Sequence, residues 1–457
     1  GRVNGMGEEF QQKFLQCVPF SPEIDPEKVV ACYRLRDGSR CDIDTAARLS
    51  SECIVLHWDV NPCYVDLLHP EVTDAFIAST YEFCYANLPE HVAAGIAGVF
   101  TDEPQLRIGQ VFYSPWFYRY FSRNYHCDIR NELIKLYYDY PGSERFRQCF
   151  YRAAGSWFAE NYTQKIQAWC QKHRWRFTGH QVQEVNYAEQ TLSSGAVSFH
   201  YPFYDMPGID HLGRNEPDIF VARQMTSIAA QFARKRRMVE MYAGCGWDLS
   251  FERMRWMYNL MQVYGINFLC THLSAYSLRG LRKRDYPPSF GCHEPWFDEY
   301  GGLNEQFART SRWLGDGKEK VRTLVLHAQR SVWSRYRLND QAPEIRRLIA
   351  STRKLVEKLA DGQEPFHFGF EPHLEEYGEI TDGQLQLGEC IYSRIILPEI
   401  CNMSRRTLAM LRGFQGELFR SQCEMPLRID GIPATPEIQE WFERLPEFEK
   451  PHGLMRL

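Results

Sequence analysis

Two glutamates could do chemistry together. The apolar run Gly95-Ile-Ala-Gly-Val-Phe100 opens into Thr101-Asp102-Glu103-Pro104, and the stretch Met238-Val239-Glu240-Met241-Tyr242 carries a carboxylate among apolar neighbours. Cleaving a glycosidic bond takes one carboxylic acid to protonate the leaving oxygen. It takes a second carboxylate, on the other side of the sugar, to activate water or attack directly. Val239 and Met241 would desolvate Glu240 and raise its pKa. The reading without chemistry has Glu103 capping a helix and Glu240 bridging to Arg237 or Arg214. Three histidines fall at similar places: His180 after Trp175–Thr178, His200 after Ala196–Phe199, and His272 after Ile266–Cys270. Asp210 lies just beyond the second of these.

Such side chains need elements that bring them to one place. From about Pro70 the chain repeats a unit of amphipathic helix, loop and short apolar strand. Helices are expected over 70–88, 156–172 and 218–234, and from an N-cap at Ser250 to Tyr264 with Gly265 closing the last. Strands are expected at 95–100, 174–178, 196–200, 237–242 and 266–270. Nearly all-apolar strands alternating with helices imply a parallel sheet covered on both faces. Polar residues gathered at the strand C-terminal ends are what the catalytic face of a (β/α)₈ barrel requires. Five strands are three short of eight. The first 60 residues read as irregular, with a turn at Arg36–Ser39, and Ile54–Trp58 reads as an insertion. After about residue 300 the alternation restarts, with strands at 322–326, 365–370 and 392–397, helices over 344–360 and 404–412, and an Asp382-Gly383 hairpin turn. This reads as a small α/β sandwich of flavodoxin-like or glutaminase-like type. It has no nucleophile elbow or phosphate loop, so no chemistry is expected there. The last 35 residues offer no clear element. The expected division is a barrel portion over 1–315, the sandwich over 320–425 and an irregular segment over 426–457.

Composition bounds the function classes. The 457 residues are 44% hydrophobic and 24% charged with a formal net charge of −5, which is ordinary globular composition. The basic run Arg234–Arg237 is too short for a nucleic-acid footprint and reads as a solvated helix end. No apolar run approaches the 18 or so residues of a membrane span. The 11 Trp, 25 Tyr and 29 Phe could supply stacking surfaces for sugars as well as a well-filled core. Fifteen cysteines without a C-x-x-C pair read as reduced thiols. With no signal peptide in view a cytoplasmic protein is expected, although Gly1 is not an initiator methionine. The oligomeric state is not legible.

Five stretches resemble a known family. They are Val65-Asp66-Leu67-Leu68-His69-Pro70-Glu71, Gly98-Val-Phe-Thr-Asp-Glu-Pro104, Met206-Pro-Gly-Ile-Asp-His-Leu212, Gly244-Cys-Gly-Trp-Asp-Leu249 and Leu278-Arg-Gly-Leu-Arg-Lys-Arg-Asp-Tyr-Pro-Pro-Ser289. They look like glycoside hydrolase family 106, the α-L-rhamnosidases, and related barrel glycosidases. The resemblance implies an α/β protein with a (β/α)₈-type barrel that hydrolyses a glycoside or oligosaccharide bearing terminal α-L-rhamnose with inversion. It also implies that this chain lacks the first barrel strands. By position, Glu103 resembles the general acid and Glu240 the general base. Asp102, His180, Glu184, His200, Asp210 and His272 would line the sugar pocket, and Trp247 would stack on a ring face unless it is a core aromatic. Acid/base chemistry requires no cofactor. The resemblance adds calcium, for which no set of oxygen ligands is apparent. Three alternatives remain open: a retaining β-galactosidase-like glycosidase, a metal-dependent hydrolase that would want a missing His-x-His, and a degenerate carbohydrate-binding barrel.

Overall fold

A computed structural model describes residues 8–107, 109–339 and 342–449. At its centre is a curled sheet of five parallel strands, Gly98–Thr101, Arg176–Gly179, Met206–His211, Met238–Met241 and Phe268–Thr271, paired in chain order. It has the form of a half-barrel whose two edge strands, Gly98–Thr101 and Phe268–Thr271, are not joined to each other. Register places Phe100 beside Thr178, Asp210 beside Glu240, and Glu240 beside Cys270, so these side chains share one face. The alternate residues Phe177, Ile209 and Val239 are fully buried on the other face. On the open side, Phe100, Thr178, Met206 and Phe268 border a cavity of about 1030 Å³ whose far wall is the helix Phe297–Asp316.

Two glycines set how closely these strands approach. A Cβ on Gly179 would lie 2.2 Å from the Thr101 carbonyl oxygen, and one on Gly208 would lie 2.4 Å from Cε of Met238. Only glycine leaves room there, and Gly179 also fixes the direction in which the next residue, His180, leaves the sheet.

The third barrel strand differs from expectation. Ala196–Phe199 is not a strand: Val197–Phe199 form a buried 3₁₀ turn, and the strand is Met206–His211. A short apolar run fits a buried turn as well as a buried strand, so periodicity could not separate them. Phe199 stacks on Trp333 at 6.0 Å between ring centroids and meets Phe370 edge-on, so this run fills the junction with the next unit.

The first 60 residues are also more regular than expected. Arg40–Cys41, Val29–Arg34, Cys53–Val65, Gln11–Pro19 and Phe112–Tyr113 form a five-stranded antiparallel sheet in that order. Leu15, Tyr33, Ile54 and Leu56 enter the main core, while Cys32, Cys53 and Val55 enter a small second core with Ala46. With both faces buried, the alternation that marks a half-buried strand is erased. Ile54–Trp58 belongs to the 13-residue strand of this sheet.

Helix signals hold where capping chemistry is strong. The Ser250 side chain accepts from the Arg253 N–H to start Phe251–Val263, and Gly265 follows that helix with φ +98°. Asp218 caps Ile219–Gln231 in the same way. That helix is buried nearly all round, because a second parallel sheet packs on its outer side. This sheet joins Phe366–Gly369, Thr323–Leu326, Arg394–Leu397 and Glu417–Arg420 in that order. Buried polar groups on the helix reach the sheet's backbone: Gln231 donates to the Phe368 carbonyl, and the Phe368 N–H donates to Ser227 Oγ. The hairpin Gly378–Thr381 and Gln384–Leu387 turns through Asp382 and Gly383, both at positive φ, as a type I′ turn demands. The last 35 residues hold more than expected, the short pair Arg428–Ile429 and Ile432–Pro433 and the helix Pro436–Glu443. Two-residue strands leave no readable pattern. All fifteen cysteines are free thiols. No helix among the described residues is long and apolar enough to cross a membrane.

Candidate active site

The half-barrel strands bring their polar C-terminal ends together. His180 follows Arg176–Gly179 directly and is wholly buried, with its Nε2 3.1 Å from Glu240 Oε2 and 3.4 Å from Asp102 Oδ1. His272 follows the last strand, with Nε2 4.0 Å from Glu240 Oε1. Glu103, His180 and Asp210 bring one ligand-type atom each within 4.8 Å of one another. Asp102, Glu103, His180, Asp210, Glu240 and His272 therefore lie together. Glu184 sits immediately behind them, where it accepts from the Asp210 N–H at 3.1 Å and the Tyr201 hydroxyl at 2.9 Å.

The environment separates the two glutamates. Burial raises the Glu103 pKa, with help from the charges of Asp102 and Glu240 and against the pull of His180. Burial also pushes Glu240 upward, but the hydrogen bond from His180 and the charges of His180 and His272 outweigh it, leaving Glu240 below its ordinary value. This reverses the expectation from Val239 and Met241: their desolvation is real, but a partner 60 residues away overrides it. Neither Arg237 nor Arg214 is the partner. Arg237 donates to the Gly265 carbonyl, and Arg214 pairs with Asp248. Glu103 caps no helix. It stands at φ +48°, a costly conformation for a non-glycine residue just before a proline, and such strain gathers at functional positions.

Asp210 and Glu184 are both raised to about 7, chiefly by burial. The charges of Glu240 and Glu103 push Asp210 further, and His180 opposes the rise in both. Trp247 is 37% exposed, and its indole N–H donates to the Lys283 carbonyl, so it lies on the surface and not in the core. The ring of Tyr286 lies 5.8 Å from that of His272.

His200 is not part of this group. It is wholly buried, its Nδ1 is 2.6 Å from Thr163 Oγ1, and its ring meets Phe158 edge-on. Burial lowers its pKa to about 3. Because the run before it is a turn and not a barrel strand, His200 points into the core. Replacing it with alanine should cost roughly 2 kcal/mol of stability in urea denaturation while leaving KM for any substrate of the cleft unchanged.

Tyr64 is a residue that sequence reasoning missed. It comes from the antiparallel sheet, its hydroxyl accepts from the Gln105 N–H at 3.2 Å, and it feels the charge of Glu103. No local pattern marks it, because only tertiary folding brings residue 64 beside residue 103.

The carboxylates also bear on the calcium expectation. Two triplets, Asp102/His180/Glu240 and Glu103/His180/Asp210, have the proximity a cation would need. Each contains an imidazole nitrogen, and His180 Nε2 already faces Glu240. Calcium takes six to eight oxygens, so neither set fits it, and no chemical step is drawn through an ion.

Acids gathered at the strand C-terminal ends of a half-barrel lie where barrel folds carry their sites. Solved structures agree on the fold. The chain superposes on a rhamnosidase from Novosphingobium sp. PP1Y with TM-score 0.61 and 14% identity, covering 86% of this chain and 38% of that one. An exo-carrageenase from Bacteroides ovatus matches with TM-score 0.54 and 13% identity over 86% and 56% of the two chains. A β-galactosidase from Bacillus circulans sp. alkalophilus matches with TM-score 0.55 and 12% identity over 81% and 58%. The chain thus spans well under two thirds of each. No family profile and no curated protein matches it. What these likenesses establish is the fold, a parallel barrel of the kind these structures share, here incomplete.

Proposed function

We propose that the cleft hydrolyses a glycosidic bond at a terminal sugar, with Glu103 as general acid and Glu240 as general base, acting on a glycoside or oligosaccharide. The observation that carries this reading is the opposite displacement of the two glutamates within one cleft: Glu103 held toward its protonated form, Glu240 toward its ionised form. Two titratable groups driven apart by their surroundings mark an acid and a base. Glu103 would donate its proton to the leaving oxygen as the bond breaks. Glu240, fixed by His180, would take a proton from the water that attacks the opposite face. Asp210, between them on the middle strand, and Asp102, with its largely exposed side chain, would meet sugar hydroxyls, and the exposed Trp247 would stack on a ring face. None of this chemistry calls for a cofactor.

The sequence resemblance and the rhamnosidase likeness in fold favour α-L-rhamnose and inversion. The β-galactosidase likeness keeps a retaining mechanism, with Glu240 as nucleophile, as the second reading. A panel of nitrophenyl glycosides, with the first-released anomer followed by NMR, separates them. Release of rhamnose in the inverted configuration supports the proposal, and release of galactose with retention favours the second reading. Sugar binding with no hydrolysis anywhere in the panel would leave a carbohydrate-binding barrel.

A further inference from the structure

We propose that His180 is a positioning residue that clamps Glu240 in one ionised orientation, and that it does not itself bind the sugar. The inference deepens the reading of Glu240 as the base and rests on it for its kinetic consequences. The pairing itself is independent of turnover.

The geometry argues against a sugar-binding role for His180. Its ring is wholly buried, so a sugar hydroxyl could reach Nε2 only by displacing Glu240 or Asp102. Its second nitrogen, Nδ1, is buried and meets no hydrogen-bond partner. One ring face is covered edge-on by Phe100, at 5.6 Å between centroids. A carboxylate only accepts, so Nε2 must carry the hydrogen in the contact with Glu240.

The charged groups around the ring decide whether it is also cationic. Asp102 and Glu103 face it from the end of the first strand, Glu184 from the loop that follows His180, Asp210 from the middle strand and Glu240 from the next. His272 lies on the far side of Glu240, with Nε2 4.0 Å from Oε1. Burial pulls the His180 pKa down, but Glu240, Glu184 and Asp210 together lift it to about 9. A buried imidazolium among carboxylates is a fixed charge, and it holds the nearest of them in place.

The test uses the full chain labelled with ¹⁵N-histidine, with the His180 signal assigned by its loss in His180→Gln. The imidazolium shift should persist through pH 7.5, and the midpoint should fall by about one unit or more in Glu240→Gln, since each unit reflects a tenfold change in proton affinity. A ring that is neutral at pH 7, or one indifferent to Glu240→Gln, overturns the proposal whether or not the chain turns over a substrate. On any aryl glycoside the chain hydrolyses, His180→Gln should lower kcat by about 100-fold, as losing one donor to a catalytic charge does. KM should stay nearly unchanged, and the acid limb of the pH profile should move upward. A raised KM with kcat and the acid limb intact would make His180 a sugar ligand and overturn the proposal. Failure of the whole glycoside panel would overturn the functional reading instead, and the ¹⁵N titration would still decide the pairing.

Discussion

Glu103→Gln and Glu240→Gln should each lower kcat by about 1000-fold or more on a glycoside with a poor leaving group, with little loss of folding, because each removes proton transfer at a group open to the cleft. They should part company on an activated substrate. A dinitrophenolate departs without protonation, so Glu103→Gln should keep much of its rate there. Water still needs a base, so Glu240→Gln should not recover. Steady-state rates on a series of aryl glycosides of graded leaving-group pKa measure this as two slopes, steep for the Glu103 variant and unchanged for the Glu240 variant. Parallel losses on every substrate would remove the distinction between acid and base.

The second large effect is on pH. In the proposed roles, Glu240 acts ionised and Glu103 protonated. Because His180 holds Glu240 below its ordinary value, the acid limb of kcat/KM should lie below the usual glutamate range. Because burial holds Glu103 above its ordinary value, the alkaline limb should lie above that range. The result is a bell with a mildly acidic maximum, whose limbs belong to the coupled cluster that includes Asp210 and His180. In Glu103→Gln, assayed on an activated substrate, the alkaline limb should weaken while the acid limb stays. A profile that only rises, with its maximum above pH 8, would contradict the assignment.

Local signals made part of this architecture legible. Ser250 is followed by a helix because its side chain satisfies an N–H that the helix cannot, and Asp382-Gly383 turn the chain because both tolerate positive φ. Four of the five barrel strands were legible because each is a short, largely apolar run between helices, with only Arg176 and Glu240 charged within them, and a polar residue follows it. The third was misplaced because a buried turn at 197–199 has the same composition. The N-terminal sheet was illegible because its two faces enter two cores, which removes the period of two. At the site, the residue types at strand ends were readable but their couplings were not. Val239 and Met241 foretold a raised Glu240, yet its neighbour in space is His180 and the outcome is the reverse. Tyr64 beside Glu103 depends on a strand 40 residues upstream, which no spacing rule marks.

The central claim is that Glu240 acts on the face of the sugar opposite the leaving group. Azide rescue of Glu240→Ala on an activated aryl glycoside tests it most directly. Removing the side chain opens a space for a small anion that needs no base. Azide should therefore restore turnover, and the product should be a glycosyl azide of configuration opposite to the substrate. A Glu240→Ala chain as active as the parent, or one that azide leaves inert while the parent hydrolyses the same glycoside, would contradict the account.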